Sequence, residues 1–270
     1  MKNYKKGEKA FTLIELFAVI TIIAVLAAIR LPALAASEHN AQKVNCINNL
    51  KQIGIAFHVW EGANGDKYPM QVPASQGGSQ DYLQHCNNNS DHSLTTDLSL
   101  SPGETFMVMS NQLSSPSVLH CPADTSPGRN VAAKWSYGSV LGFGSFNGVG
   151  NVPAQASTRS SISYFVGADA TEADPQSIVS GDGNIGSCAG NAAAAATAYW
   201  ASGTTTTKQI DATAFAASPY WGWTANDLHQ KTGNLLIADG SVQSLTETGL
   251  RTQLNMATYS VAYPAINFIF

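Results

Sequence analysis

Charge is scarce in this chain. Only 12% of its 270 residues are Asp, Glu, Lys or Arg, and its 14 basic residues are outnumbered by 18 acidic ones. Nucleic-acid binding needs clustered Lys and Arg, so that class is set aside. Catalytic signatures are also missing. No serine sits in a Gly-x-Ser-x-Gly elbow and no His-Glu-x-x-His stretch occurs. The four cysteines, Cys46, Cys86, Cys121 and Cys188, form no Cys-x-x-Cys pair, which argues against a zinc ribbon or a thioredoxin-like site. An even number of cysteines outside the cytoplasm reads as up to two disulfides in one of three pairings, or else as free buried thiols. Ser, Thr, Asn, Gly and Ala make up much of the remainder, an outward-facing rather than a cytosolic composition.

Long apolar runs are also few, and the outstanding one stands near the N-terminus. Residues Met1 to Ala10 carry Lys2, Lys5, Lys6 and Lys9 against Glu8 alone. The 19 residues from Phe11 to Ile29 follow, with Thr12, Glu15 and Thr21 as the polar members, then Arg30 and Pro32. As a helix this run is about 28 Å long, close to a bilayer's hydrocarbon thickness. Glu15 needs an explanation there, because a carboxylate in a membrane helix costs roughly 2.5–3.5 kcal/mol and so calls for a partner. A cut between Ala10 and Phe11 supplies one: a new α-amine, mostly cationic at neutral pH, four residues before Glu15.

These residues resemble the prepilin signature of type IV pilins and type II secretion pseudopilins. In that family a basic leader ends in Gly or Ala, cleavage precedes a Phe that becomes N-methylated, and a Glu follows at the fifth mature position. The resemblance makes Ala10 the last leader residue, Phe11 the methylated terminus and Glu15 the carboxylate of assembly. Pro32 falls where such helices often carry a proline, and Ala10 replaces the commoner Gly. The implied partners are a prepilin peptidase, other pilin-like subunits and the bacterial inner membrane before assembly. The implied topology is single-pass, N-terminus cytoplasmic and C-terminal domain periplasmic, with the assembled form periplasmic or on the cell surface. Loss of the leader leaves 10 basic and 17 acidic side chains, a net −7.

Past Pro32 the helix is expected to resume. Val44, Ile47, Leu50, Ile53, Phe57 and Trp60 recur at helical spacing and mark a buried face, and Gly62 with Asn64-Gly65-Asp66 ends it. Residues 68–101 read as loop, and Glu104–Leu113 as a short helix. Ser117–His120 is a strand candidate leading into a Cys121–Asp124 turn, and residues 142–157 are Gly-rich loop. Further strands are expected at Ser161–Val166 and Gln176–Ser180, the latter ending at Gly181-Asp182-Gly183-Asn184. Residues 192–207 read as a surface excursion. The clearest β signal is Gly233–Ala238 and Ser241–Leu245 joined by a two-residue Asp239-Gly240 turn. Thr246–Leu254 follows as helix or turn, and Tyr263–Phe270 as a tail strand. The fold class is therefore α+β, an antiparallel sheet on an amphipathic helix. The segments are 1–10 leader, 11–31 membrane and assembly helix half, 32–62 amphipathic half, and 63–270 extracytoplasmic domain.

More of the chain carries a second resemblance. Cys46-Ile47-Asn48-Asn49-Leu50-Lys51-Gln52-Ile53-Gly54, Tyr68-Pro69, Cys121-Pro122-Ala123-Asp124, Ser163 to Ala170, and His229 followed by nine residues and Asp239-Gly240 look like large G-type pseudopilin relatives from planctomycete and verrucomicrobial bacteria. The insert from Ser187 to Ala217 lies outside the resemblance. Cys46 and Cys121 occupy its recurrent cysteine positions, which implies a bridge between them worth roughly 3–4 kcal/mol and leaves Cys86 with Cys188.

Two constellations invite chemistry. His229 and Asp239 would make an acid–base pair if they met across the hairpin, but a hydrolase also needs a nucleophile or metal. The plainer reading has His229 bonding backbone and Asp239 making the turn. Asp169, Glu172, Asp174 and Asp182 form an acidic loop set whose hard oxygens suit Ca²⁺, and G-type pseudopilins bind calcium; solvated loop acids are the plainer reading here too. No cofactor is expected beyond that calcium. Trp200, Trp221 and Trp223 with Tyr199 and Tyr220 read as cover for a thin core edge rather than a glycan surface. The expected function is structural: a processed subunit assembling through its helix, not an enzyme. The rival is a membrane-tethered binding module or enzyme exported by the same leader without polymerising.

Overall fold

The computed structural model describes residues 11–80, 102–124, 131–137, 142–144, 162–187, 197–198, 207–211, 221–224, 228–229, 231–258 and 265–269. Ala10, Cys86 and Cys188, with most of the 187–217 insert, lie outside these. The chain divides into two compact units, Met1–Ala41 and Gln42–Phe270, and helix α1, Leu13–Ala63, contributes to both.

In the first unit α1 begins at a capping box. Thr12 Oγ1 donates to Glu15 Oε2 at 2.6 Å, the Thr12 backbone N–H donates to the same oxygen at 2.9 Å, and the Glu15 N–H reaches back to Thr12 Oγ1 at 3.4 Å. Two otherwise orphaned donors of the first turn are thereby satisfied. The turns that follow are long and apolar enough to cross a membrane, with a mean hydropathy of 2.4 and none of that surface buried. The helix runs through Pro32 without a break. Proline withholds one N–H from the carbonyl of Ala28, and a helix with intact turns on both sides survives that loss.

In the second unit the rest of α1 buries Cys46, Leu50, Ile53, Ala56, Phe57 and Trp60. The expected face is thus rotated at its start: Val44 is exposed and Ile47 only half-buried, because Cys46 is drawn inward instead. Gly54 lets the helix approach the sheet closely, since a Cβ there would stand 2.8 Å from Leu236 Cδ1.

After α1 come two short helices, α2 (Pro102–Val108) and α3 (Ser110–Leu113), where one was expected. The strands are β1 (Lys134–Tyr137), β2 (Gly142–Gly144), β3 (Tyr164–Gly167), β4 (Ile178–Asp182), β5 (Ile185–Ser187), β6 (Thr197–Ala198), β7 (Thr207–Asp211), β8 (Trp221–Trp223), β9 (Thr232–Ile237), β10 (Val242–Thr246) and β11 (Ala265–Ile269). Helix α4 (Glu247–Thr258) lies between the last two. Six strands form one sheet in the order β10-β9-β4-β3-β11-β7, antiparallel at each pairing. A smaller antiparallel sheet joins β6-β5-β8, and β1 pairs β2 in parallel. The architecture is α+β, a long N-terminal helix with a C-terminal antiparallel sheet.

Four expectations change. The 117–120 segment is a 3-10 turn, Pro116–Leu119, because Pro116 presets its first residue and Ser115 Oγ accepts the Ser117 N–H. Residues Gly142–Gly144 form a strand rather than loop. Strand β4 continues through Gly181 to Asp182, where a turn was expected, because Gly181 fits against Leu235 and Phe165 with no room for a Cβ. The β9–β10 connection is a three-residue loop: the Gly240 N–H donates to Ile237 O and the Ile237 N–H to Ser241 O, each at 2.9 Å. Of the pair expected to share positive φ, Gly240 alone takes it, at 80°, the arrangement of a turn followed by a glycine bulge.

Candidate functional site

The spine and the sheet meet at a covalent bond. Cys46 on α1 is bonded to Cys121, 75 positions further along the sequence, with Cα atoms 5.2 Å apart. Cys121 opens the expected turn, closed by the Asp124 N–H on Cys121 O at 2.9 Å. Ser163, just before β3, holds that turn from both sides. Its hydroxyl accepts the Cys121 N–H at 3.0 Å and donates to Asp124 Oδ2 at 2.7 Å. Asn49, one helical turn from Cys46, donates to His120 O at 3.0 Å.

His229 lies against this bond. Its Nε2 is 3.5 Å from Cys121 Sγ and 3.6 Å from Asp182 Oδ2, and neither side chain is exposed. The turn that carries His229 is backbone-strained: Leu228 and Lys231 take φ of 49° and 60°. Left-handed non-glycine residues persist where their surroundings hold them. Here Thr232 Oγ1 donates to His229 O at 2.7 Å and the Lys231 N–H to Thr224 O at 2.9 Å. Asp182 Oδ2 also accepts the Asn234 backbone N–H at 2.7 Å and its Nδ2 at 2.8 Å, while Oδ1 is buried without a donor. Burial pushes the Asp182 carboxyl up to about 7, against the lowering pull of the Asn234 donors.

His229 and Asp239 do not pair across the hairpin. Strand β9, six residues and about 20 Å long, separates them. Asp239 is exposed and accepts the Ser241 N–H at 2.8 Å, while the His229 ring meets Asp182 and the disulfide. The imidazole, the Asp182 carboxyl and the disulfide are all buried among the described residues. Their geometry joins α1, the 121–124 turn, β4 and the start of β9.

The acidic loop set is divided. Asp182 is at the end of a buried strand, not in a loop, and faces His229. Asp174 Oδ1 accepts the Gln176 N–H at 3.1 Å, and Asp169 sits half-exposed after β3. Glu172 stands with two residues of α1, His58 and Glu61, close enough that one ligand atom from each lies within 4.8 Å of the others. His58 Nδ1 is 3.2 Å from Glu61 Oε2. Burial, then contact with Glu172, pushes Glu61 up to about 8.

Sequence reasoning passed over His58 and Glu61, and it read Asp182 as a loop carboxylate rather than as the partner of His229. The meeting of Asp182 with His229 and that of Glu172 with the His58–Glu61 pair are long-range approaches, which no spacing announces. The Thr12 cap was passed over as well, although Thr-x-x-Glu before an apolar run is its local signal. No protein-family model, curated protein or solved structure matches this chain.

Proposed function

We propose that this protein is a pilin- or pseudopilin-like structural subunit. A prepilin peptidase cuts it after Ala10, Phe11 becomes N-methylated, and the subunit assembles through α1 into a type IV pilus-like or type II secretion pseudopilus filament. Before assembly it is a single-pass inner-membrane protein with its N-terminus cytoplasmic and residues 63–270 periplasmic.

One observation carries the reading: the apolar first half of α1 has no covering of its own. Phe11 is 69% exposed, Leu13 83% and Ile14 75%. So much apolar surface requires lipid or the helices of other copies. In the second unit Val44, Ile55 and Val59 of the same helix are exposed as well. The Thr12–Glu15 box adds to this. A carboxylate already held at the helix start stands beside the amine that cleavage after Ala10 creates. The burial of His229 and Asp182 supports a structural rather than a catalytic domain.

Mass spectrometry of the N-terminal peptide, from membranes and from material sheared off native cells, tests the proposal. N-methyl-Phe11 in both fractions is the expected result for a surface filament, and in membranes alone for a periplasmic pseudopilus. An intact Met1 leader would overturn it in favour of a tethered module.

A further inference from the structure

The last turns of α1 end in a group of side chains that assembly through the N-terminal half does not use. His58 and Glu61 are three residues apart, so both project from one side of the helix. Glu172 approaches from the connection between β3 and β4. The Glu61 side chain is 4% exposed. One of its oxygens faces His58 Nδ1 at 3.2 Å; the other, Oε1, is buried with no donor. After burial, Glu172 raises the Glu61 carboxyl through a side-chain hydrogen bond and its charge, and Asp66 adds to it. A buried carboxylate oxygen without a donor, beside a second carboxylate and an imidazole, needs a cation or a proton.

We infer that His58, Glu61 and Glu172 form a binding site for one divalent metal ion of the Zn²⁺ class, which clamps the C-terminal end of α1 to the β3–β4 connection. The donor set selects the ion. An imidazole beside carboxylates suits Zn²⁺ and its first-row neighbours, whereas Ca²⁺ and Mg²⁺ take oxygen ligands. Three protein ligands leave the remaining positions to water. A proton shared by Glu61 and Glu172 would satisfy one oxygen; a metal ion satisfies both carboxylates and the imidazole together.

The surroundings hold the imidazole in place. The Tyr68 ring packs edge-on to His58, centroids 6.2 Å apart, and Tyr68 OH donates to Ala238 O at 3.3 Å. The β9–β10 turn approaches the far side of the imidazole, where a Cβ at Gly240 would stand 3.2 Å from His58 Nε2. Glycine at 240 therefore serves the turn and the room around His58 alike. The clamp acts on α1 well beyond Cys46, so the spine is tied to the domain at two places.

The test uses the processed full-length chain in detergent micelles, stripped with a chelator and titrated with ZnCl₂ by calorimetry, with metal content and melting temperature measured alongside. One Zn²⁺ per chain and a raised melting temperature are expected. H58Q and E172Q should each weaken binding by at least about tenfold, the scale on which even outer-shell partners act. Glu172 is exposed, so E172Q tests the site without disturbing the core. Three results would each overturn the inference. One is the absence of stoichiometric Zn²⁺ binding, which leaves a shared proton only. Another is binding that survives in the H58Q/E172Q double variant. The third is a preference for Ca²⁺ that H58Q does not alter. None of these bears on leader cleavage or filament assembly.

Discussion

Asp182 Oδ2 lies 3.6 Å from His229 Nε2, with both side chains out of water. The contact joins the end of β4 to the turn before β9 and lies against the Cys46–Cys121 bond. It divides the His-(nine residues)-Asp-Gly stretch into two jobs at opposite ends of one strand. His229 serves the core, and Asp239-Gly240 serve the hairpin.

That burial gives stability a pH dependence. The Asp182 carboxyl is raised from 3.8 to about 7 in the fold, so the native state holds a proton that the unfolded chain has released. Its contribution is full below pH about 4 and is lost as pH rises through about 7, on the order of 4 kcal/mol at most. Lys43 and the Asn234 donors oppose the shift, while Asp124 adds to it. Melting temperature followed by circular dichroism should fall across that window. D182N keeps an acceptor for the Asn234 donors and should reduce the slope, leaving the part that the raised Glu61 carboxyl contributes up to pH about 8; an unchanged slope would show that Asp182 is not a source of it.

The disulfide closes a long loop, and the chain-entropy estimate for that separation is about 4 kcal/mol. The double variant C46S/C121S should melt roughly 10 °C lower. Dithiothreitol should lower the wild-type melting temperature by at least a similar amount, and any further loss it causes in the double variant would report a bond between Cys86 and Cys188. A wild-type protein indifferent to reductant would contradict this.

Helix α1 and β9 are in contact at Gly54 and Leu236. G54L overpacks this contact and should cost about 1–3 kcal/mol, and L236A opens a cavity costing about 2–5 kcal/mol. Because the two changes act on the same space, the double variant should be more stable than the sum of the single losses predicts. Strict additivity in urea unfolding would separate the helix from the strand there.

Capping and assembly separate at Thr12 and Glu15. T12A removes the hydroxyl of the box and should cost the helix start about 1 kcal/mol while filaments still form. On the proposed reading E15A removes the carboxylate that would pair with the mature amine, and it should weaken filament assembly with membrane insertion intact. Equal filament yields from the two variants would reduce Glu15 to a cap.

Local pattern was enough for the elements held by near neighbours. The β9–β10 strands fall close to their expected bounds, because two apolar runs and a glycine turn are written into adjacent residues. The segment before the C-terminal strand, read as helix or turn, is helix α4, and the tail strand lies within its expected bounds. Pattern alone misplaced the start of the buried face of α1, where Cys46 displaced Val44 and Ile47, because a bond to a residue 75 positions away sets the rotation of the helix. It also ended β4 too soon, since Gly181 reads as a turn until Leu235 and Phe165 are seen against it.

By itself the sequence determined the apolar helix, the hairpin and the α+β class, all consequences of periodicity and local turn chemistry. The pairing of Asp182 with His229 and the meeting of His58 and Glu61 with Glu172 were decided only by tertiary structure. Sheet register carries Asp182 to the start of β9, and the packing of α1 brings its last turns to the β3–β4 connection. Neither approach leaves a trace in the spacing of the residues it joins.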